Sequence, residues 1–382
     1  MSAVSPHVAS SDLSAAQARR LDPHTSADAS HDVWKQMQRG LPYPSPEAVF
    51  ATFWRSASGL SKDVLRSLML HIREYIHQHC GNRHTSAVVG VGFALWQAWA
   101  TQDGSALPSG MRLSQPALDA NGQPSSTHSA VFERGVSTFA DSQGDLWFHI
   151  KSDSADYCDQ VFAEIARWLE AHGAIDPART VYQHGSTKST QPDRLGGKVL
   201  GCRFSENLNN PSDPLSIQTQ ALVGAEHPTH LGASFVLSQR FLINWDNILN
   251  MSPEQIEDLV GRTTNDIIVP SHDDRSHIKA SRAQDAQGNT MALLRLGLPF
   301  GQSSATLNTD LRRKGATLRD EAGIYFAGYA RSVQVLEAIL DQQIGDQFGF
   351  LRDRLLSQVR ADLGGFFYIP SQADLGLPEV PT

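Results

Sequence analysis

The sequence predicts an α+β fold in which one order of elements, β-α-β-β-α-β, occurs twice as antiparallel sheets backed by helices. Three observations carry this expectation. The chain has 382 residues, 40% hydrophobic and 19% charged, enough for one large duplicated globule or two to three ordinary domains. Apolar residues switch repeatedly between short runs of strand length and stretches with helical spacing. The order of those segments in residues 43–195 recurs in residues 196–382.

In the first half, EAVFATFW, with Val49, Phe50, Phe53 and Trp54, reads as a strand. A helix follows from about Leu60 to His79, with Ser61 as N-cap and Leu65, Leu68, Ile72 and Ile76 at helical spacing. AVVGVGFALW reads as a buried strand, and the Gly-, Ser- and Pro-rich residues 101–135 as a long loop. DLWFHIKS, residues 145–152, is a strand, and Ala155 to His172 a helix with Val161, Ile165, Trp168 and Leu169 on its apolar stripe and Gly173 at C′. TVYQ, from Thr180, is another strand.

The second half opens with the strand ASFVLSQRFL, residues 233–242. SPEQIEDLVG carries a capping-box signature: Ser252 at N-cap, Pro253 at N1 and Gln255 at N3. MALLRLGLPFG and GIYFAGYA are strands; Val335, Leu336, Ile339 and Leu340 mark a helix; residues 348–363 continue as helix, and FFYIP closes the set as a strand. Six elements in one order, seen twice, describe two ferredoxin-like halves, 43–195 and 196–382. Residues 1–42 are rich in Ser, Ala, Asp and His without periodicity and are expected to form a mobile extension.

Composition excludes several classes. A net charge of −8 argues against a nucleic-acid partner, which calls for a basic surface. No apolar run approaches the length of about 18 residues that a membrane span needs. The N-terminus lacks a basic region followed by an apolar one, so no secretory signal is read there. Cys80, Cys158 and Cys202 fit neither a disulfide framework nor a zinc site. The expectation is a cytoplasmic protein with reduced thiols.

Three stretches hold polar groups where patterning does not require them. RFSENLNNPSDP, residues 203–214, places Glu206 near Phe204 in a turn; its bland reading is a solvated loop, its functional reading an acid–base group. DDRSHIKASR, residues 273–282, holds His277. Most of the 15 histidines need be no more than surface residues, but a single imidazole suffices to hold a haem, which brings four nitrogens of its own. LLRLGLPFG, residues 293–301, interrupts an apolar strand with Arg295. That residue is either a core arginine paired with a carboxylate or a cation held ready for a negative oxygen.

Taken together and in order, these stretches resemble the dye-decolourising peroxidase family of haem enzymes. The family's distal loop, roughly GFxDGTxNP, is matched from Phe204 through Ser205, Glu206, Asn207, Leu208, Asn209, Asn210 and Pro211. The strand SFVLSQRF and the helix ending at Gly261, Arg262 and Thr263 follow, then a Ser-His pair similar to Ser276 and His277. An LRxxxPxG strand is matched by Leu294, Arg295, Pro299 and Gly301, and a GGxFFxP-like close by Gly364, Gly365, Phe366, Phe367 and Pro370. The match covers residues 195–370 well and 85–195 loosely. The chain departs from the pattern at Glu206, where the family has aspartate, at Asn207 for glycine, and at Gly297 for Asn or Ser.

The resemblance implies haem b in the C-terminal half, held by His277 as proximal ligand, with Phe204 and Arg295 at the cofactor. It implies a carboxylate on the other ring nitrogen of His277, for which Glu337 is the candidate. It further implies Glu206 as distal acid–base group, Arg295 as stabiliser of developing charge, hydrogen peroxide and a small organic reductant as substrates, and a homo-oligomer. An aromatic relay for electrons is expected among residues such as Trp245, Tyr325 and Tyr329. A haem-binding protein without turnover, and a haem enzyme of oxygen transfer or dehydration on the same scaffold, are the alternatives that the altered loop leaves open.

Overall fold

A computed structural model describes residues 31–56, 59–81, 84–108, 116–118, 124–129, 144–187, 198–199, 204–205, 210–263, 267–268, 273–301, 322–344 and 353–379. Its strands are β1 (Glu47–Phe53), β2 (Ser86–Gly92), β3 (Pro116–Leu118), β4 (Pro124–Ser129), β5 (Leu146–Ser152), β6 (Val181–Ser186), β7 (Lys198–Val199), β8 (Phe204–Ser205), β9 (Ser234–Ile243), β10 (Leu294–Arg295), β11 (Leu298–Phe300), β12 (Gly323–Ala330) and β13 (Val359–Ile369). Its helices are α1 (His31–Gln36), α2 (Lys62–His79), α3 (Phe93–Asp103), α4 (Ala155–Ala171), α5 (Pro214–Ala221), α6 (Trp245–Asn250), α7 (Pro253–Val260), α8 (His277–Ala280) and α9 (Val333–Ile344).

The strands of both halves form one sheet in the order β10-β12-β9-β13-β2-β5-β1-β6, with β11 also on β12. The pairings are antiparallel, and the halves join where Phe367 and Tyr368 of β13 meet Gly92 and Val91 of β2. The two antiparallel sheets expected from the sequence are therefore continuous. Every residue of β1 and β5 is buried, because helices or irregular chain cover both faces. Such strands read as apolar runs rather than as alternation.

One face carries α2, α4 and α9, whose Leu65, Leu68, Val161, Ile165, Leu336 and Leu340 share a core with Phe235 and Leu237. The other face packs α1 and α5 over Trp147, Tyr325, Tyr329 and Phe367, with Leu294, Leu296, Leu298 and Phe300 along the edge strands in the same core. Local signals explain the helix ends. The Ser61 hydroxyl accepts from the Val64 N–H at 3.2 Å, Gly173 after α4 has a φ of 59°, and the Ser252–Gln255 capping box forms in full.

Four expectations are corrected. Residues 31–42 do not belong to a mobile extension: α1 and the turn after it bury Val33, Trp34, Met37 and Leu41, while residues 1–30 lie outside the described residues. AVVGVGFALW is not one strand. β2 ends at Gly92, where a Cβ would stand 2.3 Å from the Gly144 carbonyl oxygen, and α3 begins at Phe93. The strand from Met291 is split into β10 and β11 around Gly297, whose Cβ would meet the Tyr325 carbonyl oxygen at 2.7 Å. Finally, residues 359–363 are strand rather than helix. Only Arg354–Ser357 is helical there, as a single 3-10 turn, and residues 348–352 lie outside the described residues. In the 101–135 segment α3 continues to Asp103, and β3 pairs with β4.

Candidate haem site

His277 is the first residue of α8, and its Nδ1 lies 2.7 Å from Asp353 Oδ2. Asp353 is fully buried, whereas the His277 side chain is 37% exposed. A carboxylate withdrawn from water needs compensating donors; two reach the Asp353 carboxylate, and its backbone is anchored as well. Its Oδ1 accepts from the Leu355 N–H at 2.8 Å, its own N–H donates to the Gln343 carbonyl at 2.9 Å, and Oδ2 takes the imidazole N–H. This contact favours the proton on Nδ1, with the Nε2 lone pair then turned away from the carboxylate. The carboxylate facing His277 Nδ1 is thus Asp353 and not Glu337. The sequence shows Asp353 only as one charge in a charged run, 76 positions from its partner, and that distance is why it was missed.

The surrounding ion pairs hold the two segments together. Arg354 donates its backbone N–H to the Arg275 carbonyl at 2.9 Å, and its guanidinium lies 2.5 Å from Asp258 and 3.7 Å from Asp273. Hydrogen bonds from Arg275 hold the Asp273 carboxyl down at about 2.

Arg295 pairs across the sheet with Gly328, which pairs in turn with Leu237. It therefore lies on the face that α9 covers. Since α8 packs on α9, His277 and Arg295 share one side of the sheet. Phe241 of β9 and Ile324 and Phe326 of β12, inner strands of the sheet, are also on this face and only partly buried, as is Leu293 beside β10. Asn210, near the end of the RFSENLNNP stretch, fixes the arginine strand. Its Oδ1 accepts from the Arg295 backbone N–H at 3.0 Å, its Nδ2 donates to the Arg295 carbonyl, and Arg295 Nε reaches Oδ1 at 3.4 Å. The carboxamide thus replaces a neighbouring strand on the open edge of β10. Glu206 and Asn207 lie outside the described residues. Of Phe204 the backbone is described, paired with Val199.

Two of the three marked stretches are thereby brought together around Arg295, and the third supplies a histidine whose ring is oriented by a buried carboxylate. The set fits a haem: one imidazole oriented from behind, an apolar and incompletely covered sheet face, and a cation on that same face. Among the described residues no group of three or more His, Cys, Asp or Glu side chains is placed to hold a bare metal ion.

A family model described as Dyp-type peroxidase, C-terminal, matches residues 202–374, a span that includes Phe204, Glu206, His277, Arg295 and Asp353. The likeness to Dyp-type peroxidases by family model thus lies in the C-terminal half of the chain. It is 29% identical to a dye-decolorizing peroxidase of Mycolicibacterium paratuberculosis over 60% of this chain and 58% of that protein. It is 26% identical to a dye-decolorizing peroxidase of Brevibacterium linens over 90% of this chain and 83% of that one. Among solved structures, a DypB variant of Rhodococcus jostii RHA1 in complex with heme superimposes with a TM-score of 0.64 at 25% identity, covering 88% of this chain and 97% of that chain.

Among the described residues, no helix is long and apolar enough to cross a membrane. Trp245, Tyr325 and Tyr329 are 2%, 3% and 0% exposed, so none of them is a surface aromatic. Tyr325 and Tyr329 also point to the face opposite Arg295, since they alternate with Phe326 and Gly328 along β12.

Proposed function

We propose that this chain is a haem-dependent peroxidase that reduces hydrogen peroxide and oxidises a small organic reductant. Haem b is its cofactor in this reading, His277 the proximal ligand, and Phe204 and Arg295 its neighbours on the distal side. The observation that carries the proposal is the His277–Asp353 pair. A buried carboxylate that accepts from Nδ1–H makes the imidazole more basic at Nε2 and fixes its orientation.

When bound, haem supplies the redox chemistry of O–O cleavage. The chain's own residues move the proton and stabilise charge. The Glu206 carboxylate takes the proton from one peroxide oxygen and returns it to the other, which departs as water. Glutamate and aspartate differ by about half a unit in their ordinary acidity, so the change from the family's aspartate alters reach rather than acid strength. The Arg295 guanidinium stabilises negative charge on the departing oxygen, and Asn210 holds its strand in register for that role.

The test is rapid-scan absorption of the haem-loaded protein after one equivalent of peroxide, beside Glu206→Gln and Arg295→Leu. The parent is expected to change its haem spectrum within milliseconds, and Glu206→Gln to slow that change by about 10²- to 10⁴-fold. An inert parent favours a haem-binding protein without turnover. A variant as fast as the parent removes Glu206 from the acid–base role.

A further inference from the structure

Behind His277, two consecutive residues act on one turn. Asp353 meets the imidazole, and Arg354 meets the segment from which the imidazole projects. The Arg354 N–H donates to the Arg275 carbonyl at 2.9 Å. Its Nη1 lies 2.5 Å from Asp258 Oδ2 on α7 and 3.7 Å from Asp273 Oδ2. Asp273 closes the turn into α8. Its carboxylate accepts from the Arg275 N–H and from Arg275 Nη2, both at 2.9 Å, and its carbonyl from the Ser276 N–H at 2.9 Å. The end of α7 packs beneath the same turn. A Cβ on Gly261 would stand 2.7 Å from Ser276 Oγ and 3.5 Å from Ile278 Cβ, which belong to the residues on either side of His277.

We propose that Arg354 is a positioning residue for the haem ligand. The ion network Asp258–Arg354–Asp273 sets how closely His277 Nδ1 meets Asp353, and it makes that contact sensitive to ionic strength. The role rests on His277 as proximal ligand in the peroxidase reading, but not on turnover of peroxide. Asp353 and Arg354 share a peptide bond, so neither moves without the other. The Asp353 carboxylate is fixed on its own side by the Leu355 N–H, which leaves its distance to the imidazole to be set from the side of the turn. Arg354 reaches that side through the Arg275 carbonyl and the Asp273 carboxylate, and through Asp258 it holds the turn against α7.

A hydrogen bond weakens steeply as its geometry is lost, so a small slip of the turn changes the basicity that Asp353 confers on Nε2. Exposed ion pairs contribute little to folding stability. This network acts on geometry instead, and its effect is read at the ligand. Arg354, Asp258 and Asp273 are 35%, 40% and 29% exposed, so salt screens them. Asp353 is fully buried and is screened much less.

The experiment uses the haem-loaded protein without peroxide. Resonance Raman of the ferrous form reads the iron–imidazole stretching band, whose frequency rises with the strength of the Nδ1–H bond to its carboxylate. Haem loss to apomyoglobin is timed beside it. Arg354→Met keeps the aliphatic stem and removes the charge. It is expected to lower the band toward that of Asp353→Asn and to speed haem loss by about 3- to 10-fold. Arg354→Lys is expected to keep the band near the parent's, because a single nitrogen makes both carboxylate contacts. Asp258→Asn should shift it in the direction of Arg354→Met, and the two together by less than their sum. Raising NaCl from about 0.05 to about 1 M should move the parent toward Arg354→Met and leave that variant in place. A band unmoved by Asp258→Asn, or an equal salt response in parent and Arg354→Met, overturns the proposal. So does a loss in Arg354→Lys as large as in Arg354→Met, the result expected if the guanidinium only packs. A parent without an iron–imidazole band overturns it together with the ligand assignment. A parent that shows these shifts but does not react with peroxide sinks the peroxidase reading and leaves the positioning role standing.

Discussion

At the scale of single residues, the most consequential side chain is one that the sequence did not mark. His277 and Arg295 were legible because each breaks a local pattern: a histidine after a charged run, a guanidinium inside an apolar strand. Asp353 breaks none, since it stands among other charges and acquires its role only when the turn at Arg354–Ser357 carries it beneath His277. Asp353→Asn keeps a side chain of the same shape but removes the charge. It is expected to weaken haem retention or the rate of peroxide reaction by about 10- to 100-fold, read from haem loss to apomyoglobin and from rapid-scan spectra, and an unchanged variant would show that the pair is only structural. Lys151 offers a second test. Its ammonium is buried, donates to the carbonyls of Gly40, Leu41 and Tyr43, and is pulled down to about 7 by burial. The unfolded lysine titrates near 10.4. Between those values the unfolded chain holds a proton that the folded chain has released, so stability rises with pH by up to about 1.4 kcal/mol per unit. Below about 7 both states are protonated and the contribution is flat at its lowest. His149, on the same strand, is held well below its usual range by burial and by Lys151, so it does not titrate in this window. In Lys151→Met the slope should vanish: urea midpoints at pH 7 and pH 9 should show the parent gaining on the variant as pH rises. A constant gap would mean that Lys151 stays charged throughout.

At the scale of elements, helices with caps were read well and strands that carry charges were not. Ser61, Gly173 and the Ser252–Gln255 box are short-range signals, and each terminates the helix where expected. The first residues of β13, 359–363, read as helix in the sequence, since Arg360 and Asp362 disrupt the alternation of a strand, whereas FFYIP reads as the strand it is. The register shift between Ala361 and Leu363 explains them. Asp362 is the extra residue of a bulge and turns to meet Arg240 at 2.5 Å, a guanidinium that also stacks over Phe300 at 4.7 Å. The pairing partner sits 122 residues away, beyond the reach of any local pattern. α3 was misread for the opposite reason: Phe93, Trp96 and Trp99 bury one face directly after a buried strand, so the change of period is hidden in a single apolar run. The capping box allows a direct check. Ser252→Ala is expected to cost about 1 kcal/mol in denaturant unfolding, with no effect on haem spectra. A cost near zero would mean that α7 is held by Ile256, Leu259 and Val260 alone.

At the scale of the whole molecule, duplication was visible in the order of elements, but the joining of the halves was not. Nothing local in FFYIP or AVVGVG tells that Phe367 and Tyr368 will pair with Gly92 and Val91. The joint is tight because Gly90 leaves room for it: a Cβ there would stand 2.8 Å from Phe367 Cβ, 3.0 Å from Ile369 Cδ1 and 3.3 Å from Trp147 Cε3. Those neighbours belong to β13 and β5, so one glycine lies where the two halves and both partner strands of the joint converge. Behind it, Trp147 stacks on Phe367 with ring centroids 6.0 Å apart and donates to the Tyr325 hydroxyl at 3.3 Å, which ties the same core to β12. A sheet joined in this way transmits strain to both ends. Gly90→Val is therefore expected to destabilise the molecule by about 1 to 3 kcal/mol through overpacking and to do so as one unit. Hydrogen exchange followed by mass spectrometry should show amides of β1 and β6 losing protection in step with those of β9 and β12. If β9 and β12 kept full protection while β1 and β6 opened, the halves would be separate folding units. The position of His277 and Arg295 would then be independent of everything before residue 196.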